Sequence, residues 1–315
     1  MRESKKERRG LHTVAVAALF TVGSSLIRYP WRETAAGMPI LFLASVLLSI
    51  LPTFFYPLLC RLLRGRLGGR PIRLLLALVL SVFLFTYALF SASRCFSDYT
   101  LFVTDMILPI RHRVLFAIAF LGVAVWLSRI SKRAFDAFAL LSLLVAALSV
   151  ILLFLVGFPH FEFSLLPSDP ALEWGEVQGW LPMLLQETLL PSVLLTAYVA
   201  LSAPRRGGIS LTAGIAVGYG LLLLCVLQTL LTFGAQYAST LTYPYSFAVR
   251  ILSVGPYFAR LEGFSYLFDY LSCLVRSALC VALLQRLAAR FFPRLRLHIS
   301  LLLALPMLLF FCLGG

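Results

Sequence analysis

The sequence predicts an all-α, polytopic membrane protein of about nine transmembrane helices, and three observations carry that reading. Of its 315 residues, 61% are hydrophobic and 13% charged, with a mean hydropathy of +0.94, where a soluble domain carries about a quarter charged residues. The apolar residues fall in runs long enough to cross a bilayer, which takes about 20 helical residues. The basic residues gather between alternate runs. A soluble chain of this length has no core large enough to hide so much apolar surface.

By uncharged run length the spans fall at residues 11–29, 36–58, 72–94, 112–128, 134–158, 180–203, 209–234, 263–285 and 297–313. The first follows a basic head as a signal peptide would, but Arg28 closes it without a small-residue cleavage site. It therefore reads as a retained span. The fourth is short and the eighth carries charges. Together they form one integral membrane domain, 1–315, in a lipid bilayer.

Charge sets the orientation. The N-terminus and the loops after the second, fourth, sixth and eighth spans hold 19 of the 27 Lys and Arg residues, among them Arg61, Lys132, Arg205 and Arg286. The intervening loops hold most of the acids: Glu33, Asp98, Asp105, Glu162, Asp169, Glu173 and Glu176. Positive loops stay inside, so the N-terminus is expected in the cytoplasm. The net charge of +14 comes from these short clusters and forms no continuous basic face, so nucleic acid is not an expected partner. Two of the outer loops, 159–179 and 235–262, are long and aromatic. Their single aromatics read as an interfacial belt, and the loops as units read as a vestibule.

The cysteines (Cys60, Cys95, Cys225, Cys273, Cys280 and Cys312) show no CxxC and no metal-ligand spacing with the four histidines. No disulfide framework, metal site or cofactor is expected. Nor does any nucleotide loop, zinc signature, lipase elbow or paired-carboxylate motif nominate an enzyme.

Ionisable groups inside spans are expensive and face a cavity or a partner. Glu262, Asp269 and Arg276 on the eighth span are spaced by seven and share one face with Ser265 and Ser272. Asp269 and Arg276 stand two turns apart, about 10 Å along the axis, so each is expected to meet another helix. They form either a packing clamp or part of a ligand or proton pathway. The sixth span carries Gln186, Glu187 and Thr188 between Pro182 and Pro191. Proline removes a backbone donor, so a kink or unwound stretch is expected there. Glu187 beside that break is the leading site candidate. Gly23, Ser24 and Ser25 give the first span a place to bend or to pack closely. Interrupted helices five spans apart and of opposite direction point to a transporter-type midplane site.

Three stretches then resemble the GerAB-type spore-germination permeases, the B subunits of nutrient germinant receptors, themselves similar to the amino acid–polyamine–organocation transporters. They are TVGSSLIRYP…AAGMP (from Thr21), RLGGRPIRLLLALVLSVFLFTYALFSASRCFSDYTLFVTDMILP (from Arg66) and LTYPYSFAVRILSVGPYFARLEGFSYLFDYLSCLVRSAL (from Leu241). The resemblance is a spread of local patterns over most of the chain. It implies a five-plus-five inverted repeat, the first repeat about 11–158 and the second about 180–313, with the first and sixth helices broken around a pocket. Ligand-binding positions would then be Gly23, Ser24, Ser25, Tyr87, Gln186, Glu187 and Asp269, with Pro182, Pro191, Glu262 and Arg276 structural or gating. It implies a small-molecule nutrient as ligand, A and C subunits as partners, and the inner membrane of a bacterial spore as location. The family has ten spans; these residues supply nine, so the tenth helix is expected to be missing. Three functions follow as expectations: a nutrient-sensing receptor subunit, an ion-coupled amino-acid transporter, or a scaffold without transport.

Overall fold

The computed structural model describes residues 2–23, 25–28, 38–64, 71–107, 113–166, 180–202, 207–252, 261–291 and Pro306, and every regular element among them is helical. In chain order these are α1 (Arg2–Val22), α2 (Ser25–Arg28), α3 (Met38–Phe54), α4 (Tyr56–Arg64), α5 (Pro71–Phe102), α6 (Arg113–Arg129) and α7 (Lys132–Gly157). After them come α8 (Trp180–Ser202), α9 (Gly207–Thr240), α10 (Pro244–Ile251) and α11 (Glu262–Phe291).

The protein is a multi-pass helical membrane protein by the length and composition of these helices. Five are long and apolar enough to cross a bilayer: Leu75–Ile107, Lys132–His160, Trp180–Ser202, Gly207–Thr240 and Glu262–Ala289. The bent pair α3–α4 makes a sixth if it is one span. The count of nine is not reached among the described residues. The apolar part of α1 is only Gly10–Val22 and α6 has 17 residues, both short for a straight crossing. The expected span 297–313 lies outside the described residues.

Two boundaries move for physical reasons. The third span was expected to end at residue 94, yet α5 runs to Phe102 and continues as a π turn, Val103–Ile107. Asp98, expected in a loop, is therefore inside a helix and buried. A charge ends an apolar run in the sequence, but not a helix whose charged face meets protein. The second expected span bends by 47° at Phe55. Pro57 has no N–H for the Thr53 carbonyl, so the helical ladder stops between α3 and α4.

Along α7, most large side chains point outward and the small ones inward. On α7, Ala139, Ser142, Ala146 and Ser149 are buried while Leu141, Leu144, Leu148 and Leu155 are exposed. Lipid tails are as apolar as leucine, so membrane helices associate through close packing of small residues, not through hiding large ones. The centre of the bundle is α1 with α11. The most apolar window of α11 is 83% buried, against 33% for that of Leu75–Ile107. α11 touches α1, α5, α6 and α7, while α1 also packs along α7 and α9.

The α1–α9 crossing depends on two glycines one turn apart. A Cβ on Gly214 would meet Ala17 Cβ at 2.5 Å and Val14 O at 2.6 Å; one on Gly218 would meet Ala18 O at 2.7 Å. Backbone cannot yield as a flexible side chain can. Gly218→Leu is expected to push the two helices apart and to lower stability by about 1–3 kcal/mol. Gly220→Ala, with nothing within 4 Å of the added atom, should gain up to about 1 kcal/mol from helix propensity. Thermal unfolding of both variants in one detergent checks the pair. Equal stability of the two would contradict this packing.

Candidate functional site

α1 ends at Gly23, whose φ of +34° is one that L side chains rarely adopt. Its N–H still donates to the Leu19 carbonyl at 2.9 Å, and Ser25–Arg28 then forms a separate turn. A left-handed glycine is a common helix stop. Its missing side chain has a second consequence: the Arg276 aliphatic stem from α11 lies where a Cβ would be. The Gly23 carbonyl, freed by the break, accepts the Cys273 thiol at 3.4 Å. Thus α11 fills and caps the interruption.

α8 is interrupted differently. Residues Leu185–Leu189 form a π turn, in which Leu190 N–H donates to the Leu185 carbonyl five residues back. Pro191 has no N–H for the Glu187 carbonyl, so the ordinary four-residue ladder cannot continue there. Side chains take over part of the load: Thr188 Oγ1 donates to the Leu184 carbonyl at 2.5 Å and Ser192 Oγ to the Thr188 carbonyl at 2.8 Å. Tyr87 from α5 donates its O–H to the Gln186 carbonyl at 2.7 Å. Such one-turn π bulges recur at functional sites because they re-aim side chains.

Here the re-aimed side chain is Glu187. Its Oε1 pairs with Arg94 Nη2 at 2.7 Å, with 16% and 23% of the two side chains exposed. Tyr87, Ser91, Arg94 and Cys95 fall on one face of α5 by their three- and four-residue spacing, and all four line a crevice with Gln186, Glu187 and Arg276. The crevice is narrow: its enclosed part has room for about one water molecule, and about 220 Å³ is reached only by counting the open space at its mouth. Arg276 is 4% exposed, and its guanidinium lies over the Phe20 ring at 5.3 Å. Among the described residues it makes no salt bridge, and its Nε has no hydrogen-bond partner. The crevice therefore presents two cations and one carboxylate.

The structure brings Tyr87, Gln186, Glu187 and Arg276 together, with Gly23 behind Arg276. Asp269 is not among the residues that line the crevice. It is 1% exposed two turns away on α11, with Oδ1 lacking a hydrogen-bond partner. Ser25 donates to the Thr21 carbonyl at 3.0 Å, within its own helix. Ser24 lies outside the described residues. Pro191 is buried behind the π turn and Pro182 is exposed in the first turn of α8. Glu262 opens α11, where its carbonyl accepts Ser265 Oγ at 2.8 Å. Sequence reasoning missed Phe20 and, on α5, Phe90, Ser91, Arg94 and Cys95. Arg94 carried a signal, since it stands seven residues after Tyr87 and so on the same helix face. Phe20 carried none, as one phenylalanine among many.

Among the described residues no group of three His, Cys, Asp or Glu side chains is placed to hold a metal ion. No family model matches the chain, and no curated protein matches it in sequence.

Arg94 and Glu187 should behave as a coupled pair. Removing either partner leaves a charge in a largely buried place, whereas removing both leaves none. The double variant Arg94→Ala/Glu187→Ala is expected to lose less stability than the two single losses added together, by a coupling of about 1–3 kcal/mol. Unfolding of the four proteins in one detergent measures it; additive losses would mean that the pair is an exposed and nearly neutral contact.

Proposed function

We propose that this chain is a ligand-sensing membrane subunit of the kind formed by GerAB-type germination permeases. It binds a small nutrient, an amino acid or similar metabolite, in the crevice between α5, α8 and α11, and passes the event to A and C partner subunits. One observation carries the reading. Two helices are interrupted, at Gly23 and at Leu185–Leu189, and charged side chains converge beside both interruptions. Irregular backbone at membrane depth is tolerated only where it is buried in protein or lines a cavity, and interrupted helices commonly mark a transporter-type binding site.

In this reading the chain sits in the inner membrane of a bacterial spore with its N-terminus in the cytoplasm. Its spans follow a five-plus-five inverted repeat. α1 and α8 are the broken first and sixth helices. A change in the crevice would reach α11 directly, since Arg276 lies on it, and α11 touches most of the bundle.

A second reading, ion-coupled amino-acid transport, is favoured by Asp269. A buried carboxyl group whose Oδ1 lacks a hydrogen-bond partner suits an ion or proton relay.

The two readings part in one experiment. The purified full-length chain is screened for thermal stabilisation against amino acids, sugars and nucleosides, since a ligand of the native state raises apparent stability by mass action. The active compound is then offered, with a proton or sodium gradient, to vesicles containing the chain. Sensing predicts a saturable shift for one class without flux. Gradient-dependent flux would establish transport instead, and a folded chain with no shift across the panel would contradict ligand binding by this subunit alone.

A further inference from the structure

The crevice contains more positive than negative charge, and that imbalance names a ligand class. Glu187 is already engaged by Arg94 at 2.7 Å, and among the described residues Arg276 has no salt bridge of its own. Arg276 is held by three surroundings, while one of its donors is left without a partner. Its stem fills the space at Gly23, its guanidinium faces Phe20, its Nε lacks a partner, and α11 is buried around it. An arginine at the centre of a membrane helix is costly. The Phe20 ring face offsets part of that cost. A side chain kept at such a cost and facing a crevice is there to meet an opposite charge.

We infer that the crevice is a site for a small monovalent anion, a carboxylate or a halide, held by Arg276 with Arg94 at its side. This rests on the proposed function in using the same crevice, and it narrows the nutrient from amino acids in general to small metabolites of net negative charge. A zwitterion would bring an ammonium group whose counter-charge, Glu187, is already taken. A neutral sugar would leave Arg276 uncompensated. Tyr87 closes the crevice wall through its bond to the Gln186 carbonyl, so its hydroxyl hydrogen is committed to the backbone and not offered to the ligand. Recognition is therefore chiefly electrostatic, and the small volume selects by size.

The test uses the full-length purified chain at constant ionic strength, with lactobionate as a bulky background anion. Acetate and chloride are titrated in its place, and the unfolding midpoint is followed. The inference expects a saturable rise with acetate, chloride or both, the stronger of the two showing whether carboxylate or halide is preferred. Arg276→Gln should abolish the rise. Glu187→Gln should tighten the half-saturation concentration roughly tenfold, because a carboxylate that repels the anion is gone and Arg94 is released toward it. That second variant keeps the test informative should Arg276→Gln fold poorly.

Three results would overturn the inference. Equal stabilisation by lactobionate would mean a general salt effect. An unchanged response in Arg276→Gln would place the anion elsewhere. Stabilisation by alanine but by neither anion would reject the charge argument while leaving nutrient binding in the crevice intact, so the two proposals fail separately.

Discussion

Burial of the Arg276 charge is the constraint on which the centre of this molecule depends. The side chain is 4% exposed on the most enclosed helix, α11. Its stem fits only because residue 23 has no Cβ, and residue 23 has no Cβ because α1 must turn left-handed there. Its guanidinium is tolerated because Phe20, one turn earlier on α1, offers a ring face. The end of α1, the choice of glycine and the aromatic position thus answer one electrostatic problem. The α1–α9 crossing through Gly214 and Gly218 then fixes α1 from the opposite side.

The two helix interruptions solve a different problem, that of backbone groups with no water to satisfy them. At Gly23 the free carbonyl meets Cys273; in α8 the Gln186 carbonyl meets Tyr87. Both partners come from long helices that pass the crevice, so the backbone at each break is tied to the wall of the site. A ligand that shifted Arg276 would work against the Gly23 seat. One that displaced Glu187 would work against the Arg94 pair. In the proposed reading, this mechanical link would carry a change at the site into the helices.

Much of the fold was legible in the sequence because lipid imposes a simple rule. Runs of about 20 apolar residues gave the long helices, and Pro182, Pro191 and Gly23 pointed to where two of them are interrupted. What misled was the rule's own assumption that a charge ends a span. Arg94 and Asp98 sit inside α5 because their side chains face protein. Hydropathy along one chain does not contain that information. The same blindness hid the Arg94–Glu187 pair, since its members lie 93 residues apart and on different helices. The seven-residue stripe on α11 was readable, yet it joins two environments: Arg276 faces the crevice, while Asp269 is buried outside it. Spacing shows which residues share a face, not what that face meets along its length.

The most direct measurement is the unfolding midpoint of Arg276→Met without added ligand. Methionine fills a similar volume against Gly23 and Phe20 and carries no charge. If the arginine is buried without compensation, the variant should be more stable than the wild type by about 1–3 kcal/mol, as when buried ions give way to apolar side chains. A loss of several kcal/mol would contradict the account, for it would mean that the charge already has a partner within the protein and is not held for a ligand.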